Sequence, residues 1–264
     1  MGTWLSMVVL GLPTWLVIVV CTMLVAGLSV LGLRVVRRRV SPRRMKLHHD
    51  VAGFIFSTLG VIYAVLLAFV VLIVWQELND AQTNTNRESA VALSIDRTIG
   101  IIPDPAQAAT ADASFHHYVS LVIDCEFPNM ARFVSCPEST SALIQFWHVV
   151  AGLNPQTMEA QNVQAALLSQ LTEMQQLRRI RQAAIGDEVP APIWAGVLVG
   201  GLVTIGFSFF FGSENQRAQV VMTACLGAMV GLVTAIIIVL EHPFAGGIAV
   251  QADGFRHILS LHPG

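Results

Sequence analysis

Charge is what this chain has least of. Only 12% of its 264 residues are charged, about half the share of an ordinary soluble domain, while 54% are hydrophobic and the mean hydropathy is +0.64. The net charge of −2 provides no field for a polyanion, and no basic-aromatic pattern marks a nucleic-acid surface. Four cysteines are too few and too widely spaced for a disulfide scaffold or a zinc cluster. No P-loop, H-E-x-x-H, Ser-His-Asp pattern or catalytic carboxylate pair is present. An enzyme is not expected, nor is a cofactor or a metal. Strand-like alternation and nucleotide-binding glycine patterns are missing too, which points to an all-α chain. The longest apolar runs contain no Asp, Glu, Lys or Arg. That argues against a proton relay, a voltage sensor or a charged transport site.

What is present is four apolar stretches. The second, Val51 to Trp75, has no charged side chain, and at about 1.5 Å per residue it crosses a hydrocarbon layer of about 30 Å. Its small residues Gly53, Ser57, Gly60, Ala64 and Ala68 recur every three or four positions and form one narrow stripe, with Phe56 and Tyr63 beside it. Such a stripe allows close approach of another helix, or lines a lumen. The third stretch, Ala191 to Phe211, places Gly196, Gly200, Thr204 and Ser208 four apart, and Gly212 continues the row. The fourth, Ala218 to Leu240, carries Ala224, Ala228, Gly231 and Ala235 in a row, with Gly227 and Gly231 as a G-x-x-x-G pair. Packing within one four-helix unit accounts for any single stripe. Three exceed what a compact bundle needs, so a symmetric homo-oligomer in a lipid bilayer is expected.

The first stretch, Met7 to Leu33, lacks the basic start of a cleaved signal and reads as a retained span. After it, residues 34–46 hold seven of the fifteen Lys and Arg residues. Basic residues in short loops stay cytoplasmic, which puts both termini outside a cell (inner or plasma) membrane. Residues 1–75 then form spans 1 and 2, residues 76–190 an extracytoplasmic domain, residues 191–241 spans 3 and 4, and residues 242–264 an outer tail. The segment 76–190 holds 6 Arg against 13 Asp plus Glu, acidic as an outer position requires.

That outer segment reads as helical. Trp75 to Gly100 continues the second span, Ile101-Ile-Pro-Asp-Pro105 breaks it, and Ala106 to Asp124 follows. Another helix starts with Ser139 as its cap, and a long one opens at Asn154-Pro155 and runs to about Ile185. Cys125 and Cys136 share this segment; in an oxidising compartment they can bond, and the spacing leaves that open. Cys21 and Cys225 fall inside spans and read as small apolar fillers. The His48-His49-Asp50 and His116-His117 groups read as polar surface positions.

The pieces Asn86-Arg87-Glu88-Ser-Ala-Val-Ala-Leu93, Tyr118-Val-Ser-Leu-Val-Ile-Asp-Cys-Glu126-Phe-Pro128, Arg178-Arg179-Ile-Arg181, Val189-Pro190-Ala-Pro-Ile-Trp194, Phe211-Gly-Ser-Glu-Asn215 and Pro243-Phe244-Ala-Gly246 together resemble the bacterial bestrophin-like membrane family. The resemblance covers most of the chain after residue 48. It implies kinship with pentameric chloride channels lined by their second span. It also marks Arg87, Glu88, Glu126, Arg178, Arg179 and Arg181 as the family's charged positions, expected to pair within the outer domain.

The sequence therefore predicts an all-α, four-span helical bundle with a helical extramembrane domain between spans 2 and 3. As an oligomeric ion channel it would be lined by the second span under an acidic outer vestibule. Charge favours a cation and the resemblance favours chloride as the permeant inorganic ion. The alternative is a non-conducting sensor or scaffold that binds a partner through its outer helices.

Overall fold

A computed structural model of the chain describes residues 12–39, 49–186, 189–210 and 215–261, the side chains of 49–52 excepted. All regular structure among the described residues is helical. The elements are α1 (Thr14–Arg39), α2 (His49–Ile99), α3 (Pro105–Leu121) with a π-helical turn Val122–Glu126, the short α4 (Phe127–Met130), α5 (Pro137–Ala151), α6 (Met158–Ala183), α7 (Ala191–Ser208), α8 (Gln216–Leu240) and α9 (Asp253–Leu261). Four helices among the described residues are long and apolar enough to cross a membrane: α1, Gly53–Ile99 of α2, α7 and α8. The chain divides into two compact units, one of residues 1–76, 188–242 and 246–248, the other of residues 77–187, 243–245 and 249–264.

In the first, membrane unit, α1 packs along α8, and the glycines of α8 are the reason. A Cβ on Gly231 would stand 2.9 Å from Val25 Cβ and 3.0 Å from the Cys21 carbonyl oxygen, and one on Gly227 would overlap the Ser29 hydroxyl. Only hydrogen lets these backbones approach so closely. A guanidinium nitrogen of Arg37 bonds Gln219 Oε1 near one end of this pair. Helix α7 meets α2 through Tyr63. Its hydroxyl donates to the Val197 carbonyl at 3.0 Å, and its ring lies where side chains on Gly200 and Gly201 would stand. At the end of α8, a Glu241 carboxylate oxygen accepts from the Val189 amide at 3.0 Å and from Trp194 Nε1 at 2.9 Å. The Val189–Trp194 segment is thereby tied to the last span.

The second unit has a soluble-type core. Ile95 of α2, Phe115 of α3, Phe146 of α5, Leu167 and Leu171 of α6 and Phe255 of α9 are all fully buried in one cluster. The π-helical turn breaks the α3 register next to Glu126. π turns inside α-helices re-aim side chains and recur at functional positions.

Several boundaries differ from the sequence reading. The described part of the first span is a helix that begins after Pro13, a residue suited to a helix start; residues 7–11 of the expected span lie outside the described residues. The helix then runs past Leu33 through Arg39. The helix expected to start at Ser139 starts at Pro137, whose fixed φ suits a first turn. Ser139 is instead buried, its hydroxyl donating to the Cys136 carbonyl. The long helix begins at Met158, not Asn154, with the Thr157 hydroxyl accepting from the Ala160 amide as its cap. Residues 242–264 are not a separate tail. They include α9, which buries Phe255 and Ile258 in the core of the second unit. Those two apolar residues lie three apart, a helical spacing, and α9 is the most strongly amphipathic of the described helices. His48, residues 40–46 and the connection 211–214 with Gly212 lie outside the described residues.

Candidate pore groove and buried ion-pair cluster

The three small-residue stripes meet different surroundings. On α8, Gly227 and Gly231 are consumed against α1. On α7, Gly200 abuts Tyr63, Gly196 lies within contact of Leu66, buried Thr204 donates to the Gly200 carbonyl at 2.8 Å, and Ser208 donates to the Ile205 carbonyl at 2.6 Å. The stripe of α2 differs: a Cβ on Gly60 would meet nothing within 4 Å, and Ser57, Ala64 and Ala68 are exposed. Gly53 is part-buried. Gly60, Ala64 and Ala68 line a groove of about 760 Å³ whose far wall is Thr204 of α7 with Leu226, Met229, Val230 and Val233 of α8.

Phe56 and Tyr63 border this groove. Both are held by the third span, Phe56 stacked on Phe207 with ring centroids 6.2 Å apart and Tyr63 by its bond to Val197. Tyr63 is 7% exposed, so its ring is first a packing element between α2 and α7. The groove is apolar. Hydroxyls near it are tied to their own helices: Ser57 donates to the Phe54 carbonyl at 2.8 Å, and Thr204 is engaged as described above.

In the second unit the charges converge. Arg178 and Arg181, three apart on α6, point to one side and meet Glu126 from the π turn and Glu88 from α2. Arg181 Nε and Nη2 donate to the two Glu88 carboxylate oxygens at 2.6 and 3.0 Å, and Nη2 reaches Glu126 Oε1 at 3.1 Å. Arg178 holds Glu126 through Nε at 3.1 Å and Nη2 at 3.1 Å. Arg181 and Glu88 have no exposure at all. A buried charge without a partner would cost several kcal/mol, which explains why two guanidiniums face two carboxylates with no net charge. Burial raises the Glu126 carboxyl, but Arg181 and Arg178 outweigh it and hold it below its ordinary value. Burial pushes the Glu88 carboxyl up against the pull of Arg181. Arg181, despite its burial, is kept charged more firmly than usual by Glu88 and Glu126.

Arg87 and Arg179 do not join this cluster. Each is exposed, and neither forms an ion pair among the described residues. The reason is helical rotation: a neighbour one residue along points about 100° away, so Glu88 and Arg178 turn inward while Arg87 and Arg179 turn to solvent.

Sequence reasoning did not find the neutral partners. Ser139 and Thr140 accept from Arg178 Nη2 at 2.9 and 3.1 Å, and Gln182 Nε2 donates to Glu126 Oε1 at 2.8 Å. The Phe127 ring lies under the Arg181 guanidinium, 4.8 Å from centroid to carbon. Gln182 follows Arg178 by four on α6, a signal that could have been read; Ser139 and Thr140 come from a different helix and could not. A disulfide joins Cys125 to Cys136, with Cα atoms 6.1 Å apart, and ties the π turn to the start of α5.

The fold is similar to the crystal structure of a point mutant of a bacterial Bestrophin homolog from Klebsiella pneumoniae. The TM-score is 0.65 at 12% sequence identity, over 92% of this chain and 99% of that one. No curated protein matches the chain. A family model described as the Bestrophin-like domain matches residues 23–255. With four apolar helices of spanning length and that match over most of its length, this multi-pass membrane protein belongs to the Bestrophin-like domain family.

Proposed function

We propose that the protein is an oligomeric membrane ion channel in which α2 lines the pore. One observation carries the reading: the small-residue stripe of α2 is open where those of α7 and α8 are filled from within the chain. Copies arranged around an axis would turn Ser57, Gly60, Ala64 and Ala68 toward a shared lumen, an uncharged pore of small residues with apolar constrictions. The basic segment that starts at Arg34 supports an orientation with residues 76–190 and both termini outside the cell membrane. The Cys125–Cys136 disulfide supports that side, since such bonds persist in oxidising compartments. Acidic charge over 76–190 favours a cation at the mouth; kinship with bestrophins favours chloride, and the flux measurement decides.

That measurement is ion flux in liposomes holding the purified protein, under separate K⁺, Na⁺ and Cl⁻ gradients, beside an Ala64→Trp variant. Selective flux that is lost in a still-folded, still-oligomeric variant supports the channel and names its ion. A second reading has one observation in its favour, the apolar groove walls with their hydroxyls already engaged. It makes the protein a non-conducting sensor or scaffold, with the groove as a seat for the neighbouring copy. Flux absent from all three gradients, with Ala64→Trp breaking the oligomer, would favour that reading.

A further inference from the structure

The geometry points to a divalent metal site in the second unit, formed by Asp96, Asp112 and His116 and suited to a borderline transition-metal cation such as Zn²⁺. It is separate from the groove and independent of the channel reading.

The three residues come from two helices. Asp96 is buried near the end of α2, and Asp112 and His116 lie one turn apart on α3, with their ligand atoms within 4.8 Å of one another. His116 Nδ1 is 3.0 Å from the Asp112 backbone carbonyl oxygen. A carbonyl only accepts, so Nδ1 carries a proton there, and the tautomer that leaves Nε2 as the metal-ligating nitrogen is the one this contact selects. Fixing the outward nitrogen by a backbone carbonyl is how metal-ligating histidines are oriented.

Nε2 faces Asp96 Oδ1 at 3.4 Å. A charge-assisted hydrogen bond between imidazolium and carboxylate would close to about 2.7–2.9 Å. The observed spacing is one that two ligands of a tetrahedral ion, each about 2.0–2.1 Å from it, can take up without backbone movement. Asp112 provides the third ligand. Its carboxylate, with Oδ1 at 3.3 Å from the imidazole Nδ1, is 46% exposed and would turn from Nδ1 toward the Nε2 side to complete the set. Two carboxylates balance a dication, and one imidazole beside two carboxylates is a donor set for Zn²⁺ or a similar ion. A bound ion would staple α2 to α3 across the helix break at Ile101–Pro103.

The test uses the full-length protein, purified without a polyhistidine tag and stripped with chelator. Co²⁺ serves as a spectroscopic probe and Zn²⁺ as competitor. The expected result is one Co²⁺ per chain with visible ligand-field absorption, displaced by Zn²⁺, and a rise in Tm on metal addition. Asp112→Asn, a surface change that leaves the fold intact, and His116→Gln should each weaken binding by at least about ten-fold. His117→Gln, at the exposed neighbouring position, should bind as the unaltered chain does. Equal binding in Asp112→Asn and His116→Gln would overturn the site. So would absent Co²⁺ absorption with an unchanged Tm at millimolar metal, which leaves His116 as a plain ion-pair partner of Asp96.

Discussion

The membrane unit and the second unit solve the same packing problem with opposite materials. In the first, helices approach through missing side chains: Gly227 and Gly231 admit α1, and Gly200 and Gly201 admit the Tyr63 ring. Burial of apolar surface cannot drive helices together where the solvent is itself apolar, so close fit must do it. In the second, an aromatic and aliphatic core of the soluble kind surrounds four buried charges. The lesson is that loss of a charge and gain of a methyl group should be damaging in different halves of the chain.

The largest effect is expected at the charges. Arg181→Met leaves Glu88 buried without its counter-charge and should cost about 3–5 kcal/mol, measured by denaturant unfolding of the detergent-solubilised protein. Replacing Glu88, Glu126, Arg178 and Arg181 together by apolar residues of similar volume should recover most of that loss. If the single variant loses less than about 1 kcal/mol, the cluster is wetter than its burial implies.

Next comes the disulfide. Its partners are 11 apart in sequence, so a Cys125→Ser, Cys136→Ser variant should lose about 2–3 kcal/mol on the loop-closure model. In the unaltered chain both thiols should resist maleimide until a reductant is added. Ready labelling of both without reductant, on protein taken from intact cells, would count against the outer location of this unit.

In the membrane unit, Gly231→Leu should push α1 off α8 at a cost of about 1–3 kcal/mol, whereas Gly60→Ala, into open space, should leave Tm unchanged. Equal losses from both would erase the distinction between filled and open stripes on which the pore assignment rests.

The smallest contrast lies between the chain's two tyrosines. Tyr63→Phe removes a bond to Val197 and should cost about 1 kcal/mol. The buried Tyr118 hydroxyl has no hydrogen-bond partner among the described residues, so Tyr118→Phe should leave stability equal or higher in the same melt.

How much of this was legible in the sequence depends on the range of each interaction. Spans were legible because a bilayer demands long uncharged runs, and α2, α7 and α8 follow from that demand alone. The inward turn of Glu88, Glu126, Arg178 and Arg181 was half legible. Motif resemblance picked the stretches, but motifs do not say which face of a helix is buried, so Arg87 and Arg179 were carried along. The role of Ser139 was misread as a cap because a local hydroxyl looks the same whether it ends a helix or meets an arginine 39 residues away. Nor could the chain order show which stripe stays open. That is decided by α1 filling α8 and Tyr63 filling α7, contacts between residues more than a hundred positions apart. The pairing of Asp96 with His116 was illegible for the same reason, since it depends on how the Ile101–Pro103 break turns α3 back on α2.

The position of α9 has a consequence for the order of synthesis. Ala252, Phe255 and Ile258 belong to a core whose other buried members lie between residues 92 and 174, yet the ribosome makes them only after α7 and α8. The helical domain therefore emerges with part of its interior missing and waits, incomplete, while two more spans are threaded into the bilayer. Its completion thus reports that membrane insertion has finished, and a chain halted before α9 leaves an exposed apolar face for quality-control proteases to recognise.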